Sequence, residues 1–303
     1  MRIVIAGGSG FIGDPLVRRL LARGDDVAVL TRNPSRVEAG RPLQWDGRTE
    51  GTWSDEVATA DAVVNLAGEN IADGRWTAER KRRLVASRLD ATGAIVEALR
   101  RDPARKRTLV NSSAVGFYGD RKDEELDERS SRGDGFLAEL VEKWEGAARE
   151  AEPLARLVIL RFGVVLARDG GALAKMLLPF RLGAGGPIGS GAQWMSWIDR
   201  DDAVAMVLWA LDEERAHGVY NATSPRPVRN RDFARALGRA VHRPAIVPAP
   251  AFALRIAFGQ MAEEALIAGQ HVLPRRAEEE GFTFAHPSID AALTHALGES
   301  PRG

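Results

Sequence analysis

The chain begins with a short apolar strand that runs directly into a glycine-rich turn. Residues 2–6 (RIVIA) form the predicted strand, residues 7–13 (GGSGFIG) form the turn, and an amphipathic helical pattern follows at once. Glycines let a backbone approach a pyrophosphate closely, and the free N–H groups at the start of a helix face the phosphate charge. This order of strand, glycine turn and helix predicts dinucleotide binding. The predicted contacts in the turn are Gly7, Ser9, Gly10, Phe11, Ile12 and Gly13.

Composition excludes several other classes of protein. The 303 residues carry 42 lysines and arginines against 42 acidic residues, so no excess charge indicates nucleic acid or an anionic membrane. Cysteine is absent, which excludes disulfides and thiol catalysis and fits a reducing cytoplasm. The five histidines have no ligand-like spacing, so we expect no metal site. The apolar run at residues 3–6 is too short for a signal peptide, and the run at 249–258 is too short to cross a bilayer.

Apolar strands alternate with helical patterns through the first half of the chain. Such strands form a parallel sheet covered on both faces, and right-handed crossovers make it a doubly wound α/β fold of the Rossmann type. After residue 166 the pattern changes to a glycine-rich loop at 183–191 and, from residue 230, mainly to helices. The predicted strands are residues 2–6, 27–30, 62–66, 157–160 and 219–221, and residues 109–110 open another. The predicted helices include 77–101, 136–148 and 199–211.

The end of the second predicted strand distinguishes NADP from NAD. An acidic residue there would accept hydrogen bonds from the ribose 2′-hydroxyl, but this chain has TRNPSR at residues 31–36. An arginine binds a 2′-phosphate through two hydrogen bonds, whereas a carboxylate repels it. We interpret Arg32 as the phosphate ligand, with Arg36 and Ser9 as helpers, and predict NADP as the cofactor. The alternative is that Arg32 is a solvated loop arginine.

Three further motifs follow predicted strands. N-x-A-G lies at residues 65–68, S-S-A…Y-G at 112–119 and W-I-x-x-D-D at 197–202. On these motifs the chain resembles the extended short-chain dehydrogenases/reductases. As a whole it is similar to an atypical, epimerase-like group of unassigned substrate with a C-terminal helical module. The segments that carry the narrower resemblance are residues 75–77, 81, 87–88, 185–191, 193–194, 220–225, 269–274 and 281–284.

The resemblance implies a domain organisation and a set of site residues. It implies an NADP-binding Rossmann domain of residues 1–166 and 195–225, and a smaller domain of residues 167–194 and 226–303. It also implies that the glycines of the turn hold the pyrophosphate. The remaining contacts that it implies are Leu66, Ala67 and Gly68 on the adenosine side, Ser112 among the cofactor contacts, and Ser113 beside the nicotinamide. By analogy with the family, the helix at residues 77–101 would join two copies in a homodimer.

The chain departs from the parent superfamily in its catalytic residues. That superfamily uses Y-x-x-x-K on the helix after the serine strand, where the tyrosine exchanges the proton and the lysine lowers its pKa. Phe136 and Leu140 occupy those positions here, and both also suit plain core packing. Tyr118 and Lys122 give a literal match, but the Gly119-Asp120 turn signal makes a shared helix face unexpected.

Two basic residues near this region remain open to interpretation. Lys143 lies seven residues after Phe136, close to the same helix face, and is either a ribose contact or a surface lysine. Arg88 stands where the extended pattern N-x-x-G-T has its asparagine. It either contacts cofactor phosphate or an anionic substrate, or forms a structural ion pair.

These observations leave two hypotheses for function. The first is an NADP(H)-binding oxidoreductase or epimerase-like enzyme that lacks the Tyr-x-x-x-Lys pair, with Ser113 as a catalytic residue and Glu69, Lys81, Tyr118 or the substrate itself as proton donor. The loop from residue 183 to 197 would then cover a small-molecule substrate. The second is a non-catalytic NADP(H)-binding sensor or scaffold. A replacement acid within reach of Ser113 would favour the enzyme. The role of the charged stretch at 119–135 is left open.

Overall fold

The strands of the predicted parallel sheet run side by side through the middle of the molecule. The computed structural model describes residues 1–298. Its strands are β1 (Arg2–Ala6), β2 (Asp26–Thr31), β3 (Arg41–Gln44), β4 (Ala62–Asn65), β5 (Thr108–Ala114), β6 (Glu125–Leu126), β7 (Arg156–Phe162), β8 (Val164–Ala167), β9 (Trp194–Met195), β10 (Trp197–Asp199), β11 (Gly218–Ala222), β12 (Val228–Arg229) and β13 (His271–Val272).

Helices fill the connections between these strands. They are α1 (Gly13–Ala22), α2 (Trp53–Ala58), α3 (Ala78–Leu99), α4 (Phe136–Arg149), α5 (Gly171–Arg181), α6 (Arg200–Asp212), α7 (Asn230–Ala240), α8 (Ala251–Phe258), α9 (Gln260–Ala262), α10 (Arg275–Glu279) and α11 (Ile289–Leu297). Among residues 1–298, none of these helices combines the length and apolar character needed to cross a bilayer.

The central sheet has seven parallel strands in the order β3-β2-β1-β4-β5-β7-β11. Successive side chains of a strand point to opposite faces, and both faces are covered. Ile3 and Ile5 of β1 belong to a core that contains residues of α1 and α6, whereas Val4 and Ala6 belong to a core with residues of α2 and α3. The prediction of a doubly wound α/β fold is confirmed.

A further core lies beyond the carboxyl ends of the strands. It is built by α5, α7 and α11 against β8 and β10, and includes Leu173, Phe233 and Leu293. Trp197, from the segment predicted for the Rossmann domain, is buried in it. The two-domain division itself stays a prediction, and residues 299–303 of its second part lie outside the described residues.

The charged stretch at residues 119–135 is tied to the C-terminal part of the chain. Within it β6 pairs in parallel with β13, and Leu126 of β6 is fully buried. Gly119 has φ of +62°, and the oxygen of Asp134 would lie 2.7 Å from a Cβ there, so the ends of the stretch meet closely. The strand β3 was missed by the sequence analysis, because Arg41–Gln44 is a largely exposed edge without an apolar run.

Candidate cofactor and active site

The glycine turn between β1 and α1 has no room for side chains at two positions. Gly7 has φ of +80°, and a Cβ there would lie 2.9 Å from the carbonyl carbon of Leu66. A Cβ on Gly13 would lie 2.2 Å from the carbonyl oxygen of Gly7. Gly10 N donates a 3.0 Å hydrogen bond to Gly7 O, and Ile12 at the N-cap of α1 contributes no side-chain cap. The turn is thus a close-fitting backbone cradle at an uncapped helix start, which fits a dinucleotide phosphate.

Two side chains of the turn differ in exposure. Ser9 is exposed, whereas Phe11 is half-buried. A Cβ on Gly170 would lie 2.5 Å from the Phe11 ring, so the ring packs directly on the backbone at the start of α5. The predicted contact Phe11 therefore also joins the glycine turn to the segment that follows β8.

The loop after β4 is fixed by a buried asparagine. Asn65 accepts a 3.2 Å hydrogen bond from Ala67 N, and it donates to Asn111 Oδ1 at 2.8 Å and to Thr92 Oγ1 at 3.0 Å. Because β1 and β4 are neighbours, Leu66 and Ala67 lie against the backbone of Gly7. The structure thus brings the two predicted cofactor segments, residues 7–13 and 66–68, to one edge of the sheet.

Arg88 lies beside this loop and is held without a carboxylate partner among residues 1–298. Its guanidinium donates to the carbonyl oxygens of Leu84 at 3.1 Å and Glu69 at 3.0 Å, and it lies 5.1 Å from the centre of the Trp144 ring. A Cβ on Gly68 would come within 3.2 Å of the guanidinium carbon. Burial lowers the pKa of Arg88 to about 10, so this group is a desolvated cation that an anion would stabilise.

Arg32 and Arg36 lie at the end of β2. This strand neighbours β1, so both arginines emerge at the same sheet edge as the glycine turn. Both side chains are exposed, and within residues 1–298 the Arg32 guanidinium makes no hydrogen bond or ion pair. The bend is shaped instead by Asn33, whose Oδ1 accepts hydrogen bonds from Ser35 N and Oγ. Arg32 is therefore available to a ligand.

The two serines at the end of β5 are buried. Ser113 is 3% exposed, and its hydroxyl donates a 2.7 Å hydrogen bond to Glu145 Oε1 on α4. Ser112 is 8% exposed, and its carbonyl oxygen accepts from Asn111 Nδ2. The catalytic role of Ser113 stays a prediction, and its hydroxyl is directed into the layer beneath α4.

The acid beside Ser113 belongs to a buried ionic network. Glu145 is fully buried and receives hydrogen bonds from Arg161 at 2.7 and 2.8 Å. Burial alone would raise the pKa of the Glu145 carboxyl, but the hydrogen bonds and charge of Arg161 outweigh it and hold the pKa below its ordinary value. Arg161 also donates to Tyr118 Oη at 2.9 Å and lies 3.5 Å from the centre of the Phe117 ring. A carboxylate this firmly ion-paired is a weak proton acceptor.

Sequence analysis missed Glu145 and Arg161, although each breaks a local pattern. Glu145 stands on the buried face of α4 between Val141 and Ala148, where the helical period predicts an apolar residue. Arg161 interrupts an otherwise apolar run in β7. Buried charges are retained when they are paired, so two opposite charges at core positions form a recognisable signal.

Both tyrosines of the chain are buried and hydrogen-bonded. Tyr118 donates to Asn221 Oδ1 at 2.8 Å, and burial raises the pKa of Tyr118 to about 12. Tyr220 donates to Glu280 at 2.6 Å, and burial together with this contact raises the pKa of Tyr220 to about 12. Lys122 has φ of +53° in a turn, so it shares no helix face with Tyr118. Neither phenol is placed to exchange a proton with a ligand in the cleft.

At the positions of the absent tyrosine and lysine, Phe136 and Leu140 pack in an apolar cluster. Phe136 is half-buried, lies edge-on to Trp76 with ring centres 5.2 Å apart, and has the Lys81 Nζ 5.0 Å from its centre. Leu140 is buried in the same cluster. Lys143 is exposed, which leaves its predicted ribose contact untested.

Among the three predicted proton donors, Lys81 lies beside Phe136, the position of the absent tyrosine. Within residues 1–298 it forms no ion pair with a carboxylate. Lys81 hydrogen-bonds Gln260 and is half-buried. Glu69 is ion-paired with Arg80 and lies 3.6 Å from the Arg83 guanidinium. The third, Tyr118, is buried as described above.

A cavity of about 200 Å³ opens at the start of α4. The Glu264 carboxylate lies on its wall and accepts hydrogen bonds from Phe136 N at 3.1 Å and Leu137 N at 2.8 Å, so it caps α4 from outside. Other lining residues are Gly116, Asp120, Asp134, Ile267 and Gln270. The C-terminal part of the chain therefore forms one wall of the cavity at the start of α4.

The loop at residues 183–197 supports this wall rather than lining the cavity itself. Gln193 donates a 3.2 Å hydrogen bond to the carbonyl oxygen of Leu266, and Trp194 stacks on His271 with ring centres 3.9 Å apart. Trp197 is fully buried in the core beyond the strands. The segment nearest the cavity is residues 263–270, which sequence analysis had not connected with a substrate.

Comparison with known proteins gives matches along almost the whole chain. The model of the NAD dependent epimerase/dehydratase family matches residues 3–223, and that of a domain of unknown function (DUF1731) matches residues 249–296. The epimerase family protein SDR39U1 of Homo sapiens is 39% identical over 296 residues, 97% of this chain and 98% of the relative. The SDR39U1 homolog of Arabidopsis thaliana, described as chloroplastic, is 41% identical over 299 residues, 97% of this chain and 86% of the relative.

Solved structures agree with this result. The crystal structure of human epimerase family protein SDR39U1 (isoform2) with NADPH has a TM-score of 0.89 and 37% identity, and the match covers 99% of this chain and 100% of that one. The nucleoside-diphosphate sugar epimerase from Corynebacterium glutamicum has a TM-score of 0.80 and 33% identity over 98% of this chain and 58% of that one.

Proposed function

This chain belongs to the NAD dependent epimerase/dehydratase family, and we propose that it binds NADPH and acts as an NADP(H)-dependent oxidoreductase or epimerase-like enzyme that uses no tyrosine in proton transfer. The resemblance to an extended, epimerase-like group is thereby confirmed. The observation that carries the proposal is the close-fitting backbone cradle of the glycine turn, in which Gly7 and Gly13 admit no Cβ. The human relative crystallised with NADPH supports the choice of cofactor.

The proposed contacts divide along the cofactor. Ser9, Gly10, Phe11 and Ile12 would surround the pyrophosphate at the start of α1. Arg32, with Arg36, would bind the 2′-phosphate, because its guanidinium is exposed and makes no other polar contact among residues 1–298. The loop at residues 66–68, Arg88 and the end of β5 at Ser112 and Ser113 would line the rest. When bound, the cofactor would supply or accept the hydride.

Selectivity for NADPH tests this arrangement. At a hundredfold excess over Kd, a ligand that binds only the folded chain stabilises it by about 2.7 kcal/mol. We expect a larger thermal shift with NADPH than with NADH, and a narrowed or reversed preference in Arg32→Asp. The matched control is Arg215→Asp, which changes an exposed arginine that forms an ion pair with Glu213. An equal or larger shift with NADH in the unmodified chain overturns the assignment of Arg32.

We propose Lys81 as the proton donor. Its ammonium lies beside Phe136, the position of the absent tyrosine, and it has no carboxylate partner among residues 1–298. In a panel of carbonyl compounds, Lys81→Gln should abolish NADPH oxidation while its affinity for NADPH stays within about twofold of the unmodified chain. The neighbouring exposed Arg82→Gln is the control. Unchanged turnover in Lys81→Gln removes the lysine from the mechanism.

A second candidate function is a non-catalytic NADPH sensor or scaffold. The burial and raised pKa of both tyrosines favour it. Glu145 is an acid within reach of Ser113, but its ion pair with Arg161 makes it a weak proton acceptor, so it does not serve as the replacement acid that would favour the enzyme. If calorimetry detects NADPH binding but no member of the panel alters its absorbance, the sensor is favoured over the enzyme. We also propose that the protein is cytoplasmic, that its substrate is a small molecule and that α3 joins two copies in a homodimer.

A further inference from the structure

Three potential metal ligands converge at the start of α6. Asp199, His286 and His295 each offer one ligand atom, and these atoms all lie within 4.8 Å of one another. We propose that they bind a divalent transition-metal ion of the Zn²⁺ class, which fastens the last helix to the start of α6. This site is independent of the proposed function. It also departs from the expectation of no metal site, because the three residues are far apart in the sequence and no spacing rule connects them.

The fold places each of the three by separate contacts. Asp199 is the N-cap of α6, and its Oδ1 accepts a 2.7 Å hydrogen bond from Asp201 N. His286 is held by its backbone, since its N–H donates to Asp202 Oδ2 at 2.9 Å. His295 lies in the last turn of α11. The backbone of His286 is thus fixed by a hydrogen bond that does not involve its ring nitrogens, and the Asp199 carboxylate is oriented through Oδ1, with Oδ2 toward His295.

The side chains have the chemistry of a transition-metal site. Two imidazole nitrogens and one carboxylate oxygen form a donor set that suits Zn²⁺ and its neighbours, with a fourth position for water. Asp199 is 1% exposed, and its Oδ2 lies 3.0 Å from His295 Nδ1. The ring nitrogens of His286 make no hydrogen bond within residues 1–298. A buried carboxylate and an imidazole without a hydrogen bond both gain from a cation.

To accept an ion, one of the two imidazole rings must rotate out of its present stacked position. The rings of His286 and His295 stack with centres 4.0 Å apart and planes 13° apart, so they cannot both direct a lone pair at one ion. The His295 side chain is 39% exposed, so its ring has space toward solvent to rotate once it leaves the stack on His286. With metal–nitrogen distances of about 2.0–2.1 Å, the donor atoms must approach to roughly 3.3 Å.

The competing explanation is a plain ion pair between a protonated His295 and its carboxylates. Besides Asp199, the groups facing it are Asp201, whose Oδ2 lies 3.6 Å from His295 Nε2, and the stacked His286. Asp201 is itself paired with Arg19 at 3.0 Å. An ion pair needs no metal, so metal titration separates the two explanations.

The test is a titration of the full chain with Co²⁺, followed by displacement with Zn²⁺. We expect visible ligand-field absorption that saturates at one ion per chain and disappears as Zn²⁺ is added, together with a higher melting temperature. His286→Phe keeps a ring for stacking but removes the donor nitrogens, and His295→Gln removes the second imidazole. Each should weaken Co²⁺ binding at least about tenfold. His217→Gln, at an exposed histidine outside the cluster, should bind as the unmodified chain does.

Three results would overturn the proposal. One is the absence of Co²⁺ absorption in the folded, unmodified chain. Another is equal weakening in His217→Gln and in the two cluster variants. The third is a melting temperature that depends on pH and on His295 but not on metal, which assigns the cluster to the ion pair.

Discussion

The glycine turn and the junction between β5 and α4 lie at the same edge of one sheet, but they depart from their family pattern to very different degrees. In the turn, every glycine that the motif requires is present, and Gly7 and Gly13 admit no substitute. At the junction, Phe136 and Leu140 fill the positions of a proton-transferring pair, and a buried ion pair lies under Ser113.

Under the proposed function, cofactor binding and proton transfer are therefore specified by separate parts of the fold. The cradle depends on backbone shape, which glycines set locally. The junction depends on side chains, which are replaced without disturbing the strand or the helix. The following predictions test how independent the two regions are.

The largest effect is expected at the junction, from Glu145→Gln. This change leaves Arg161 buried without its anion, and breaking a buried pair costs about 3–5 kcal/mol. Chemical denaturation measures the free energy of unfolding of each variant. The control is Glu142→Gln on the same helix, which removes only an exposed pair with Arg132. Equal stability of the two variants would show that the network contributes nothing.

The same residue predicts a pH dependence. The pKa of Glu145 is lowered in the folded chain, so its contribution to stability is present above the ordinary glutamate pKa and is lost as pH falls through the folded value. The stability difference between the unmodified chain and Glu145→Gln should therefore shrink on acidification. A difference that grows at low pH would contradict the sign of this shift.

In the turn, Gly13→Ala should abolish tight cofactor binding. The new Cβ would overlap the carbonyl oxygen of Gly7, so overpacking costs about 1–3 kcal/mol of stability. We expect NADPH affinity to fall at least about 100-fold, which corresponds to about 2.8 kcal/mol. Gly146→Ala in α4, where a Cβ meets nothing within 4 Å, should be neutral or stabilising. Retained affinity in Gly13→Ala would show that the cradle is not the binding site.

A smaller effect is expected where the C-terminal part meets the junction. Glu264→Ala removes the carboxylate that caps α4 and should cost about 1 kcal/mol. Glu263→Ala, at an exposed residue paired with Arg255, should cost about 0.3 kcal/mol. Thermal unfolding distinguishes them. If Glu263→Ala lowers the melting temperature more than Glu264→Ala does, the cap on α4 does not stabilise the contact between α4 and residues 263–270.

The smallest effect is expected from Phe136→Tyr. The ring is half-buried and the Lys81 Nζ lies over its face, 5.0 Å from its centre, so an added hydroxyl should change stability by less than about 0.5 kcal/mol. NADPH affinity should stay within about twofold, since the cradle is untouched. The matched change is Phe252→Tyr at an exposed phenylalanine. A large loss of NADPH binding in Phe136→Tyr would show that the two regions are coupled.

Most of the fold was predictable because its signals are local. The apolar strands, the turn and the 136–148 helix each follow from spacing within a few residues, and most observed bounds differ by at most two residues. The strand β5 is the exception, because it continues through the polar residues 111–113 to Ala114. The strand β3 was not predicted because a strand at the edge of a sheet needs no apolar run. The pairing of β6 with β13 escaped because nothing in either dipeptide specifies a distant partner.

The candidate site was predictable only in its cofactor half. A glycine cradle is encoded in consecutive residues, whereas the surroundings of Ser113 are assembled from distant ones. Arg161 and Glu145 come into contact because α4 packs on β7, and no local sequence motif predicts that contact. The wall at residues 263–270 comes from a segment whose sequence carries no recognisable chemistry.

The cap that Glu264 provides has a consequence for how the protein is made. On a ribosome, α4 emerges long before residue 264, so its first amide groups face solvent while the remaining chain is still being added. Likewise, β6 has no strand to pair with until β13 has been synthesised. A nascent chain therefore has an incomplete cavity wall from the emergence of α4 until residue 264 has emerged, and in this interval its exposed surfaces favour binding of a holding chaperone.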